Sequence, residues 1–220
     1  MESVNDIHEF KGISNCYIVD DKLLFLVDTG MPGNSGKILK FLHENLNKKM
    51  GDLEIIVITH AHFDHTGSLN ELIKKTGAKV AIHKGDEDVL SGEKNQTGSA
   101  LMRPLIKFMS FIFRTQPVKA DIVLEDGDMI GDYRVIHTPG HTSGSICLYN
   151  SNNRVIFVGD ILNYSKGKIE APRIMEDHLE YNESMKKLGN LEIETILTGH
   201  GDPVTSDANK KLDEFLNKNI

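Results

Sequence analysis

The chain has 220 residues, of which 39% are hydrophobic and 26% charged, and its formal net charge is −7. These values predict one soluble globular domain over residues 1–220, with a substantial core. The negative charge argues against nucleic-acid binding, and no stretch reaches the roughly 20 apolar residues of a membrane span. The N-terminus is acidic where a signal peptide is basic and then apolar, so we expect a cytoplasmic protein.

Apolar patterns divide the first part of the chain into alternating strands and helices. Two strands joined by a tight turn are predicted over 13–28, and a helix follows over 32–49. A buried strand is predicted at 55–58, a short helix at 68–76 and a strand at 79–83. A further short helix is predicted at 85–90.

The last hundred residues return to strands. Strands are predicted at 122–124, 133–138, 145–149, 154–158 and 194–197, helices at 177–188 and 207–217, and a loop at 161–176. Cys16 and Cys147 fall in strand-like runs and are expected to be buried free thiols, since two cysteines give no disulfide framework. Periodicity alone predicts an α/β or α+β fold.

The segment at 91–117 interrupts the alternation. Its first part is polar, and its second part, 101–114, carries seven large apolar residues after Pro104. They cover too much of a helix circumference for one core face. A deeply buried helix, an apolar flap over a site and a homodimer contact all remain open. As a flap or contact, the segment would favour a hydrophobic substrate.

A cluster of histidines follows the predicted strand at 55–58. His60, His62, Asp64 and His65 lie within six residues. So many polar groups are costly to bury without partners. Imidazole nitrogen and carboxylate oxygen are ligands that suit zinc and related divalent ions. The stretch therefore predicts half of a metal site.

Three later strand-like runs each end beside a glycine and a metal-binding residue type. His141 lies in Thr-Pro-Gly-His, Asp160 in Val-Gly-Asp and His200 in Thr-Gly-His. Four strand ends meeting at one edge would build a binuclear centre. His43 is expected to be structural or on the surface, and His83 to be packed or hydrogen-bonded, or else to lie near the metal edge because it ends a strand. No metal role is expected for the remaining histidines: His8, His137 and His178.

With these motifs the chain resembles the metallo-β-lactamase-fold hydrolases, whose signature is His-x-His-x-Asp-His followed by a later His, Asp and His. The resemblance extends from about residue 15 to about residue 204, and all signature positions carry the expected residue types. It implies a four-layer αββα sandwich and two divalent ions, with zinc expected first and manganese or iron as alternatives.

The resemblance also implies a role for each residue of the site. One ion would be held by His60, His62 and His141, the other by Asp64, His65 and His200, with Asp160 bridging both. Asp28 would support the metal-binding loop from outside, although it could equally cap a turn. A hydroxide shared by the ions would attack an ester-type carbonyl, and Asp64 would relay its proton to the leaving group.

Members of this superfamily differ in substrate, and here the resemblance favours a small ester, lactone or thioester. The bridging Asp160 argues against β-lactams, and the short C-terminus argues against the glutathione-binding domain of glyoxalase II. Tyr164 is expected to contact the substrate carbonyl, as a Tyr does in related lactonases, or else to be an ordinary loop Tyr; Lys166 and Arg173 are further selectivity candidates. A phosphodiesterase and a mononuclear-iron persulfide dioxygenase are the alternatives, because ligands do not identify their metal.

Overall fold

The computed structural model describes residues 6–94 and 116–220, and all statements below concern these ranges. The apolar part of the segment predicted at 91–117 falls in the interval between them. Its roles as flap, core helix or homodimer contact therefore lie outside the described residues.

A mixed sheet forms from the first six strands, which follow one another in chain order. They are β1 (Ile7–Phe10), β2 (Cys16–Asp20), β3 (Leu24–Val27), β4 (Ile55–Ile58), β5 (Lys79–His83) and β6 (Ile122–Leu124). The first three strands pair antiparallel, and β3 to β6 pair parallel. Parallel neighbours require crossover connections, and helices supply them after β3 and β4.

The helices of this half are short. They are α1 (Ser35–Glu44), α2 (Phe63–Thr66), α3 (Leu69–Thr76) and α4 (Lys84–Leu90), with a 3-10 turn at Met50–Asp52. The helix predicted at 32–49 is shorter than expected, and Gly77 ends α3 in the left-handed conformation that glycine adopts without strain.

The second sheet contains β7 (Met129–Ile130), β8 (Tyr133–His137), β9 (Ile146–Asn150), β10 (Val155–Gly159) and β13 (Thr195–Thr198), in the order β13-β10-β9-β8-β7. Its pairs are antiparallel except for β10 with β13, which are joined through α5 (His178–Gly189). A separate hairpin of β11 (Asn163–Ser165) and β12 (Lys168–Glu170) precedes α5, and α6 (Ala208–Asn219) closes the chain.

The core shows why these elements form four layers. Successive residues of a strand point to opposite faces of its sheet. In β4, Ile56 packs in the cluster that contains the apolar faces of α1 and α3, whereas Val57 packs between the two sheets. In β9, Leu148 faces the space between the sheets and Cys147 faces α5 and α6. The predicted αββα sandwich is therefore observed.

Several elements differ from the sequence predictions, and strand β7 and helix α2 were not predicted. The loop predicted at 161–176 contains the β11–β12 hairpin, whose strands have three residues each and carry little apolar signal. Strand β1 was not predicted, because His8 and Glu9 interrupt its apolar pattern. Cys16 and Cys147 are buried and free, as predicted. Within the described ranges, no helix has the length and apolar character that crossing a membrane requires.

Candidate metal centre

The His-rich motif changes conformation in its middle, and this change spreads its side chains over two positions. His60 lies in a bend directly after β4, and His62, the residue before α2, is extended with φ −73° and ψ 148°. The one-turn helix α2 then begins, with the amide of His65 donating to the His62 carbonyl at 3.0 Å. Asp64 and His65 therefore project in directions different from those of the first two histidines.

The remaining site residues follow strands of the second sheet. His141 lies in the loop after β8, whereas Asp160 and His200 lie directly after the parallel strands β10 and β13. Parallel strands end at the same edge, so these two side chains meet there. Glycine is required beside them, because a Cβ on Gly199 would lie 2.3 Å from the Asp160 Oδ1 atom.

The first set of side chains is a triangle of imidazoles. The His62 Nδ1 atom lies 3.1 Å from His60 Nε2 and 3.0 Å from His141 Nε2, and the last two atoms are 3.3 Å apart. A tetrahedral ion with bonds of about 2.0–2.1 Å separates its nitrogen ligands by about 3.3 Å. Burial lowers the pKa of all three rings, that of His62 to about 4, so they are neutral and able to donate lone pairs.

The second set combines Asp64, His65 and His200. The Asp64 Oδ2 atom lies 3.3 Å from His200 Nε2 and 3.8 Å from His65 Nε2. Burial lowers the pKa of His200, but hydrogen bonds to Asp160 and Asp64 outweigh it and raise this pKa to about 10. The two carboxylates thus stabilise a protonated His200 ring at this set. A divalent ion would supply the positive charge in place of that proton.

Asp160 lies between the two sets. Its Oδ2 atom is 3.6 Å from His141 Nε2, 3.9 Å from His60 Nε2 and 3.0 Å from His200 Nε2. Its Oδ1 atom is 3.2 Å from His65 Nε2. The Asp160 Oδ1 and His65 Nε2 atoms are buried, and beyond this contact with each other neither has a hydrogen-bond partner in the described part of the chain. Buried polar atoms without partners are costly, and a cation between the sets would satisfy both. The side chains therefore fit two ions.

The outer ring nitrogen of each of four imidazoles has a fixed partner. The pairs are His60 Nδ1 with Thr59 Oγ1 at 3.1 Å, His65 Nδ1 with Asp28 Oδ2 at 2.8 Å, His141 Nδ1 with the Ile174 carbonyl at 2.8 Å and His200 Nδ1 with the Ile13 carbonyl at 2.5 Å. Such partners fix ring orientation and tautomer, and they favour metal binding by the inner nitrogen.

Asp28 is placed where the resemblance implies, behind the second set. Its Oδ1 atom accepts from the Thr59 amide, and its Oδ2 atom accepts from the Thr59 hydroxyl and faces His65 Nδ1. The residue has φ +57°, which Asp and Asn tolerate better than most side chains. Asp28 thus joins the end of β3 to the metal-binding loop.

Replacing Asp28 by Asn should weaken binding at the second set about 10–100-fold, because an amide accepts these hydrogen bonds through one oxygen only. Asn retains the left-handed backbone preference, so folding should be little affected. Zinc titration against a competing chelator measures the change. Equal zinc affinity of wild type and Asp28→Asn would contradict this role.

Asp86, which sequence reasoning missed, joins the two loops that carry the first set. Its buried carboxylate accepts from the Ala61 amide at 2.8 Å, the Thr142 hydroxyl at 2.9 Å and the Gly144 amide at 2.8 Å. Burial raises the pKa of Asp86, whereas these hydrogen bonds lower it. The sequence gives no signal for this role, since an Asp in the first turn of a helix is common.

The Asp86→Asn variant should lose about 1–3 kcal/mol of folding free energy, because one backbone amide then faces an NH₂ group instead of an acceptor. The first set should also bind zinc more weakly, as Ala61 lies between His60 and His62 and Thr142 follows His141. Urea unfolding and zinc titration measure the two effects. A variant with wild-type values in both would show that Asp86 does not position these loops.

Tyr164, Lys166 and Arg173 lie in the region after Asp160. The partly buried Tyr164 ring packs against the hydrophobic cluster between the second sheet and helices α5 and α6. The Lys211 ammonium lies 5.6 Å from the centre of this ring. No hydrogen bond joins the Tyr164 hydroxyl to the metal-binding side chains in the described ranges. Its substrate contact therefore stays a prediction. His83 and His137 stack on each other 3.9 Å apart, in the structural role expected for them.

A family model described as the metallo-beta-lactamase superfamily matches residues 10–200. The probable metallo-hydrolase YflN of Bacillus subtilis (strain 168) is 28% identical, over 94% of this chain and 88% of its own length. The acyl-coenzyme A thioesterase MBLAC2 of Bos taurus is 31% identical over 66% of this chain, and the match spans 55% of that protein.

Two solved structures show the same fold. The di-iron-bound form of TTHA1623 is similar with a TM-score of 0.69 and 22% identity, covering 97% of this chain and 96% of that one. The class B3 di-zinc metallo-beta-lactamase LRA-12, from an Alaskan soil metagenome, has a TM-score of 0.70 and 22% identity, covering 97% and 88%.

Proposed function

Because the chain belongs to the metallo-beta-lactamase superfamily, we propose that it is a hydrolase that uses two divalent ions to cleave a small thioester, ester or lactone. The observation that carries the proposal is the position of Asp160, whose carboxylate faces both sets of metal-binding side chains. The thioester is placed first because a relative is named an acyl-coenzyme A thioesterase.

Each site residue would bind one or both of the two ions. His60, His62 and His141 would hold one ion, Asp64, His65 and His200 the other, and Asp160 both. When bound, the ions lower the pKa of water towards about 7 and polarise a carbonyl oxygen. Zinc is expected first, and iron is the alternative, since similar folds are described with two zinc or two iron ions.

Asp64 is proposed as the proton carrier. Its side chain is 16% exposed, so solvent reaches this carboxylate within the second set. The Ser14 hydroxyl donates to the Asp64 carbonyl and fixes the backbone there. A carboxylate held in this way can take the proton of the attacking water and pass it to the leaving group. Tyr164 is proposed as a contact for the substrate carbonyl.

Elemental analysis of the purified protein, combined with an assay panel, tests the proposal. The panel contains an acyl thioester, a lactone, a phosphodiester and a β-lactam. About two ions per chain with thioester, ester or lactone turnover are expected. One iron per chain, with oxygen consumption on a persulfide, would assign the protein to the oxidoreductases and overturn the proposal. Turnover of the phosphodiester alone would overturn the substrate class.

A further inference from the structure

Two exposed isoleucines lie directly beside the metal-binding histidines. Ile13 is 71% exposed and Ile174 is 46% exposed. The carbonyl of Ile13 accepts from His200 of the second set, and the carbonyl of Ile174 accepts from His141 of the first set. Of the exposed large hydrophobic residues in the described ranges, these two alone are hydrogen-bonded to a metal-binding side chain.

The loop that carries Ile13 is fixed on both sides. The next two residues bind it to the site: the Ser14 hydroxyl donates to the Asp64 carbonyl, and the Asn15 amide donates to the Gly199 carbonyl at 2.7 Å. The Asn15 side chain also donates to the carbonyls of Thr198 and Gly201, at 3.1 and 2.9 Å. Ile13 is therefore held between the loops of Asp64 and His200.

The loop that carries Ile174 is fixed in the same manner against the loop of His141. The amides of Glu176 and Asp177 donate to the Gly140 carbonyl at 2.7 and 3.1 Å. The Ser143 amide donates in turn to the Glu176 carboxylate at 3.0 Å. These contacts leave the backbone of Ile174 little freedom, although nearly half of the residue is exposed to solvent.

Single exposed hydrophobic residues are common and need no explanation. Here, however, each set of metal-binding side chains has one, and the loops that hold them are bound to the site by several hydrogen bonds. We propose that Ile13 and Ile174 contact the apolar part of the substrate on two sides of the metal centre. This inference rests on the proposed function and narrows it, because it requires a substrate with an aliphatic acyl chain.

Linear alkyl hydroxamates, from acetohydroxamate to octanohydroxamate, test the inference without turnover. Their head group chelates bound metal, and their tail takes the place of the acyl chain. Binding to the zinc-loaded protein is measured by calorimetry. Affinity should rise with chain length, by up to about fourfold for each methylene that becomes buried, which corresponds to about 0.8 kcal/mol.

The variants Ile13→Ser and Ile174→Ser should each lower octanohydroxamate affinity about fivefold and leave acetohydroxamate affinity unchanged. Both substitutions retain the backbone carbonyl that accepts from the histidine, so metal binding should persist. Met129→Ser is the matched control: Met129 is 57% exposed and pairs with Arg134, at the end of β8 remote from the His141 loop.

Equal affinity along the series in the wild type, or an unchanged chain-length dependence in both variants, would overturn the inference. Thioester turnover, measured on the same samples, reports on the proposed function separately. A protein that binds the long hydroxamate through these residues but hydrolyses no thioester, ester or lactone would retain the contact and lose the proposed reaction.

Discussion

Replacing Asp64 by Asn is expected to lower turnover about 10²–10⁴-fold while the fold persists. Asn has nearly the same volume and can still offer an oxygen to an ion, but it cannot accept a proton at neutral pH. The backbone contact of the residue is kept, because the Ser14 hydroxyl donates to the Asp64 carbonyl and not to the side chain. The loss should therefore appear in kcat.

Asp202→Asn is the control for Asp64→Asn. Asp202 is a carboxylate two residues after His200, but it is exposed and forms an ion pair with Lys11. Its replacement should leave kcat close to the wild-type value. Circular dichroism and zinc content are measured on both variants. Wild-type turnover in a folded, zinc-loaded Asp64→Asn protein would refute the proton-carrying role.

The strand ends that build the site could be predicted because each combines two independent signals. Ile55–Ile58 is a short apolar run of β-branched residues, which is typical of a buried strand. The polar motif that follows it is costly to bury unless its side chains bind a metal ion. The same holds for the runs before His141, Asp160 and His200. Their convergence came from the resemblance, since periodicity alone does not give strand order. The match to the superfamily confirms that resemblance.

The supporting contacts could not be predicted, because their chemistry is not specific to a residue type. The carbonyls of Ile13 and Ile174 are backbone atoms, so any residue could supply them, and only the folded chain shows which one meets a histidine. Asp86 is an acidic residue in a polar helix until folding places three donors around it. The metal-binding side chains of this site are therefore easier to predict from the sequence than the groups that hydrogen-bond to them.

Asp160→Asn is expected to reduce bound metal from about two ions per chain to one or fewer, the largest loss for any single substitution here. Asp160 is the one site residue whose oxygens lie within 3.6 Å of histidines from both sets. Removing its charge leaves five imidazoles with Asp64 as the remaining carboxylate among the metal-binding side chains. Asp64→Asn should retain close to two ions per chain, because its Asn still offers an oxygen to the second set, so elemental analysis distinguishes the two variants.

The metal-free protein gives a second measure of Asp160. Although burial opposes it, hydrogen bonds to Asp160 and Asp64 raise the pKa of His200 to about 10, above its ordinary value of 6.5. A raised pKa means that the protonated ring stabilises the fold below about pH 6.5, and that this stabilisation is lost as the pH rises through about 10. With chelator present, Asp160→Asn should therefore unfold at a lower urea concentration than the wild type at pH 7. Its free energy of unfolding should be lower by about 3 kcal/mol.

The stability difference between the wild type and Asp160→Asn should shrink as the pH approaches 10, because the wild type then loses the proton that Asp160 holds on His200. Asp202→Asn, measured in parallel, corrects for general effects of alkaline pH, since Asp202 is exposed. A difference that stays constant from pH 7 to pH 10 would show that the proton on His200 does not account for the stabilisation of the metal-free fold by Asp160.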